Sequence, residues 1–108
     1  MIVNDLLKYD AFKELTISDG EREIKGVYIG DLLSWVMGRA QADNIWITIM
    51  SNSNIVAVAT LADVGCILLA EGVTLGEDIT TLASEKGVNI FSTELNCYDA
   101  AIKVSEVI

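Results

Sequence analysis

Four short polar residues, Ser51-Asn52-Ser53-Asn54, separate two strongly apolar stretches, 45–50 and 55–62. Hydroxyls, amides and free backbone N–H groups at such a junction can hold an anion or a small polar ligand, above all where a helix begins. Two further segments have the same character. One is Glu71-Gly72-Val73-Thr74-Leu75-Gly76, and the other is Thr93-Glu94-Leu95-Asn96, entered through Ser92. Their candidate ligand contacts are Ser51, Asn52, Ser53, Asn54, Glu71, Gly72, Ser92, Thr93 and Asn96. The competing reading is ordinary capping and turn formation, which these residue types also perform.

Other chemistry is scarce. The chain contains no histidine, which removes histidine-based acid–base catalysis, Ser-His and Cys-His nucleophile pairs, and zinc sites built on imidazole. Cys66 and Cys97 stand 31 positions apart, without the spacing of a metal or dithiol motif. Cys97 falls at the first position of a helix, where the dipole favours a thiolate, but Asp99 opposes it and no basic residue adjoins. Cys66 lies in an apolar strand and reads as packing. Asp31, Asp63 and Asp78 suit caps or first turns and form no carboxylate pair. Neither GxxxxGK[ST] nor GxGxxG occurs, so a P-loop and a dinucleotide fingerprint are absent. No catalytic residue, metal ligand or cofactor is expected.

The elements that must position these loops follow from hydrophobic periodicity. Residues 45–50 are β-branched and nearly continuous in apolarity, as a strand covered on both faces is; 66–70 form a second buried strand, entered through Gly65, and 88–92 a third. Between them lie two helices. Asn54–Ala62 is apolar almost all round, with Ser53 or Asn54 as its cap. Glu77–Lys86 is amphipathic, with acidic residues in its first turn, Lys86 in its last and Gly87 just beyond. Asn96 caps a final helix running to about Val107. The order β-α-β-α-β-α over residues 44–108 implies a mainly parallel sheet in a three-layer α/β/α-like domain. The N-terminal part adds a short helix at 2–9, a strand pair at 13–18 and 24–29 around an Asp19-Gly20 turn, and a helix at 31–40. In that helix Leu32, Leu33, Val36, Met37 and Ala40 form the inner stripe. Trp35 falls off it and, with Tyr28, is a candidate partner anchor.

Bulk properties bound the rest. At 108 residues the chain fits one α/β domain. With 16 acidic against 7 basic residues the net charge is −9, which disfavours nucleic acid and anionic membranes. No stretch reaches the roughly 18–20 apolar residues of a membrane span, and residues 1–8 lack the pattern of a signal peptide; a cytoplasmic location is expected. Yet the mean hydropathy, +0.45, is high for so small a chain, so apolar surface reserved for another chain is expected.

Several segments occur in a characteristic order: Val3-Asn4-Asp5-Leu6-Leu7, Glu21-Arg22-Glu23-Ile24-Lys25-Gly26, Gly30-Asp31-Leu32-Leu33-Ser34 and Asp43-Asn44-Ile45-Trp46-Ile47-Thr48. They continue with Asn54-Ile55-Val56-Ala57-Val58-Ala59, Ile67-Leu68-Leu69-Ala70-Glu71-Gly72 and Ala83-Ser84-Glu85-Lys86-Gly87-Val88. Together they resemble the DRTGG-domain family, small α/β domains found in some phosphate acetyltransferases and CBS-containing pyrophosphatases and similar to the N-terminal domain of HPr kinase/phosphorylase. The likeness is strongest to stand-alone members, some of which accompany iron-hydrogenase or related redox subunits. Of the naming motif Arg22 and Gly26 remain, and Ala70-Glu71-Gly72 replaces the usual Thr-Gly-Gly. The resemblance implies a non-enzymatic regulatory or accessory module, homodimeric, contacting a partner protein such as a redox or hydrogenase complex. The alternative is a sensor of a nucleotide or other anionic metabolite at the carboxyl ends of the parallel strands.

Overall fold

The computed structural model describes residues 1–106. Five strands, β1 (Phe12–Thr16), β2 (Val27–Ile29), β3 (Ile45–Thr48), β4 (Cys66–Leu69) and β5 (Ile90–Thr93), form one sheet in the order β1-β5-β4-β3-β2. β2 to β5 are parallel, and β1 joins β5 antiparallel. Every residue of β3 and β4 is buried, which is why both read as nearly continuous apolar runs, with Thr48 ending that of β3.

The connecting helices are α1 (Leu33–Arg39), α2 (Asn54–Ala62), α3 (Glu77–Lys86) and α4 (Cys97–Ser105). Because β2 to β5 lie side by side in chain order, right-handed crossovers put α1, α2 and α3 on one face. There Trp46, Ile67, Leu69 and Ile90 meet Val36, Ile55, Val56 and Ala83. The alternate side chains Ile45, Ile47, Cys66, Leu68 and Phe91 face the other way, onto α4 and a short 3-10 helix, Val3–Lys8. The result is the expected three-layer α/β/α arrangement. The final helix is capped by Asn96 as anticipated; its expected end at Val107 lies outside the described residues.

Two local expectations change. The stretches at 13–18 and 24–29 do not pair with each other; they supply β1 and β2, at opposite edges of the sheet. The Asp19-Gly20 turn does form, with Arg22 N donating to Asp19 O at 3.3 Å. Beyond it, however, the N-terminal residues take the pairing: Val3 N donates to Arg22 O and Ile24 N to Met1 O. Residues 17–26 therefore cross beneath the amino ends of the parallel strands instead of closing a hairpin. The expected stripe of α1 is also narrower. Val36 is fully buried and Leu33 and Ala40 are half-buried, while Leu32 and Met37 stay exposed. A seven-residue helix over a three-residue edge strand has too little surface beneath it to cover them all.

Candidate functional site: the carboxyl ends of β4 and β5

A crevice forms in an open α/β sheet where neighbouring strands send their connections to opposite faces. Here β4 leads to α3 on one face and β5 leads to α4 on the other. The loop after β4 is a tight turn. Glu71 and Gly72 both adopt left-handed backbone, at φ 61° and 70°, and Val73 N donates to Ala70 O at 3.2 Å. Glu71 N donates to Leu95 O at 2.8 Å and Gly72 N to Thr93 O at 2.9 Å, which joins this turn to the loop after β5. A Cβ on Gly72 would lie 2.5 Å from Oε2 of Glu94, so the Glu94 carboxylate closes over this position and a side chain there would push it aside.

Beside this double loop is a cavity of about 260 Å³. Its third wall is β1, in register with β5 so that Lys13 lies opposite Ser92. An irregularity in the pairing between Glu14 and Thr16 falls at Leu15. Lys13, Leu15 and Ser92 line the cavity with Ala11, Gly72 and Val73, and Asp10, Thr74, Thr93 and Glu94 complete it. The walls are thus partly apolar, with one ammonium, two carboxylates and several hydroxyls. The ion pairs among the described residues join Lys8 to Asp5, Arg22 to Asp43 and Asp63, and Lys25 to Glu23. None of them uses Asp10, Lys13 or Glu94.

The residues singled out from sequence divide between two places. Gly72, Ser92 and Thr93 line the cavity, and Glu71 forms the turn behind it. Thr93 Oγ1 accepts from Leu95 N at 3.2 Å, and Asn96 Oδ1 accepts from Asp99 N at 2.8 Å as the cap of α4. Ser51, Asn52, Ser53 and Asn54 lie apart, exposed at the end of β3. There Asn52 Oδ1 accepts from Asn54 N at 3.0 Å, Asn52 O from Ile55 N and Ser53 O from Val56 N. Ser53 occupies the cap position of α2 without a side-chain cap bond. Ser53 and Asn54 instead border a groove of about 520 Å³ between α2 and α3, with Leu61, Leu82 and Lys86. Asp31, expected in a cap or first turn, accepts from Thr48 Oγ1 at 2.7 Å and Ile49 N at 3.0 Å, tying off β3.

Sequence reasoning missed Asp10, Lys13 and Leu15, because nothing local shows that β1 would return to the far edge of the sheet beside β5. Their pattern in 12–16 signals a strand, but not its neighbour. Glu94 stood inside a recognised loop; only its contact with Gly72 distinguishes it.

The thiols are not poised for nucleophilic work. Burial pushes the Cys66 thiol up to about 12, against the opposing pull of the Arg22 charge. Cys97 begins α4, yet burial and then the carboxylates of Asp31 and Glu71 raise it above the ordinary thiol range. Among the described residues no three His, Cys, Asp or Glu side chains gather as metal ligands would, and no helix is long and apolar enough to cross a membrane. Of the proposed anchors, Trp35 is 52% exposed with the Arg39 guanidinium 3.7 Å over its ring. Tyr28 is half-buried against the core beneath α1 and α2.

Comparison with known proteins agrees with this architecture. The DRTGG domain family model matches residues 13–107. A crystal structure of the CBS and DRTGG domains of the regulatory region of Clostridium perfringens pyrophosphatase, complexed with its activator diadenosine tetraphosphate, superposes with a TM-score of 0.70. The match covers 93% of this chain at 16% identity, a likeness of fold alone, and this chain spans 43% of that one. No curated protein matches in sequence.

Proposed function

The chain belongs to the DRTGG domain family, and on that premise we propose that it is a non-enzymatic regulatory module that responds to a small ligand bound between β1, β5 and the loop after β4. The observation that carries this reading is the cavity at the carboxyl ends of β4 and β5, where the loops leading to α3 and α4 are hydrogen-bonded to each other. A ligand seated there touches both loops, and so both faces of the sheet, which is what a sensor needs in order to pass on its occupancy. The similar regulatory region of a pyrophosphatase, solved with a nucleotide activator, supports regulation as the role. A cytoplasmic setting is part of the proposal.

The test is thermal unfolding against nucleotides, phosphorylated metabolites, amino acids and common anions. A ligand at a hundred times its dissociation constant stabilises by about 2.7 kcal/mol, roughly 10–20 °C for a chain of this size. A flat screen would end the sensor reading.

A second reading, a homodimer or an accessory subunit of a redox complex, is favoured by α2. Its sequence NIVAVATLA carries no ionisable side chain, and Leu61 on it is 74% exposed. In a chain of charge −9 such a surface is where a second copy or partner is least repelled. Sedimentation at micromolar concentration distinguishes the cases: a monomer that captures no partner through Leu61 or Trp35 would leave the ligand reading alone.

A further inference from the structure

Resting on the reading of this cavity as a ligand site, we infer that its ligand is a small zwitterion of the α-amino-acid class and not a nucleotide or other polyphosphate. Three observations lead there.

Positive charge is the first. Lys13 is the one cation lining the cavity, while Asp10 and Glu94 contribute two carboxylates. A polyphosphate carries several negative charges and would meet one ammonium against two like charges. A phosphate site can be made from backbone amides in a turn of this kind. Here those of Glu71, Gly72 and Val73 are already given to the carbonyls of Leu95, Thr93 and Ala70. The turn presents no such cradle.

Second, the opposite charges do not neutralise one another. Lys13 forms no ion pair with Asp10 or Glu94, although all three line the same cavity. A ligand carrying a carboxylate and an ammonium satisfies both signs at once: its carboxylate accepts from Lys13 Nζ and its ammonium donates to the acidic side chains. Glu94, placed over Gly72, is the first of those acceptors.

Third, size and lining agree. About 260 Å³ lies just below the 300–1,000 Å³ range of drug-sized pockets, too little for a dinucleotide. Ala11, Leu15 and Val73 supply apolar wall for a short side chain, and Ser92 and Thr74 supply hydroxyls near it.

The experiment uses the whole chain. Binding of the twenty encoded L-amino acids, and separately of ATP, AMP and inorganic phosphate, is followed by thermal shift and then by calorimetry. The best amino acid is compared with its α-hydroxy acid, which lacks the ammonium, and its decarboxylated amine, which lacks the carboxylate. Each analogue should bind about tenfold or more weakly, as should the variants Lys13→Met and Glu94→Gln. Lys86→Met and Glu85→Gln, on α3 away from the cavity, should bind as the parent does. If ATP, AMP or phosphate binds in a Lys13-dependent way and no amino acid does, the zwitterion assignment falls while the sensor reading stands. Amino-acid binding indifferent to Lys13 and Glu94 would overturn the assignment to this cavity. Silence from every probe would overturn both.

Discussion

Arg22 reaches Asp43 with two donors at once, Nε at 3.0 Å and Nη2 at 2.9 Å from the same carboxylate oxygen, and Nη2 also meets Asp63 Oδ1 at 3.0 Å and its carbonyl at 2.7 Å. Both aspartates hold left-handed backbone, at φ 68° and 57°. One guanidinium thus secures two strained turns at the amino ends of β3 and β4, the end of the sheet opposite the candidate site.

Replacing it should therefore cost stability and spare ligand binding. Charge-assisted hydrogen bonds contribute roughly 1.5–3 kcal/mol each when lost, and partial exposure reduces that, so Arg22→Ala should destabilise by about 2 kcal/mol. Arg22→Lys, which keeps the charge but not the forked geometry, should recover less than half. Urea unfolding measures both; an unchanged midpoint for the alanine variant would mean the clamp is ornamental.

Asn89 is the second anchor of that end. Its Oδ1 accepts from Ser18 N and Asp19 N at 2.7 and 2.9 Å, and its Nδ2 donates to Asp19 O and Gly65 O at 3.0 Å. The side chain is buried. Asn89→Ala strands several buried polar groups and should destabilise by roughly 2–4 kcal/mol. Amide exchange of Ser18 and Asp19 should accelerate more than that of β3. Equal acceleration everywhere would show global unfolding, with no local tether.

Alkaline stability should follow Cys66. Its folded value, about 12 against an ordinary 9.0, is raised by burial. The contribution is thus fully present below pH 9 and is lost as pH climbs towards 12, because the unfolded chain gives up its proton first. Over that window stability should fall by up to about 1.4 kcal/mol per pH unit, and Cys66→Ala should flatten the decline. An identical slope in the variant would assign the effect elsewhere.

Cys97 should be sluggish. Burial and two nearby carboxylates raise its thiol, so alkylation by iodoacetamide should rise only above the ordinary thiol value of 9.0. A midpoint at neutral pH would make it a reactive cysteine after all.

Gly72→Ala should disturb the candidate site directly. A side chain at φ 70° costs about 1–2 kcal/mol, and its methyl would displace the Glu94 carboxylate. Loss of stability with loss of any ligand response is expected; a variant that unfolds normally yet binds as before would separate Gly72 from the site.

The sequence by itself determined the layers and most elements. The nearly continuous apolar runs at β3 and β4 require cover on both faces, and the capping signals around α3 and α4 are local, so both could be read without a partner in space. The carboxyl-end loops were legible for the same reason, as polar breaks between apolar elements. Only the tertiary structure decided which of them meet. The edge position of β1 depends on backbone pairing across most of the chain, Phe12 with Thr93 and Lys13 with Ser92, and on competition from residues 1–3 for the strand that the Asp19-Gly20 turn would otherwise pair. Lys13 becomes a neighbour of Ser92 through that pairing, and Glu94 a lid on Gly72 through the hydrogen bonds that join the loops after β4 and β5. Long-range pairing leaves no periodic trace in either segment, so the charges that define the cavity were invisible until the sheet was assembled.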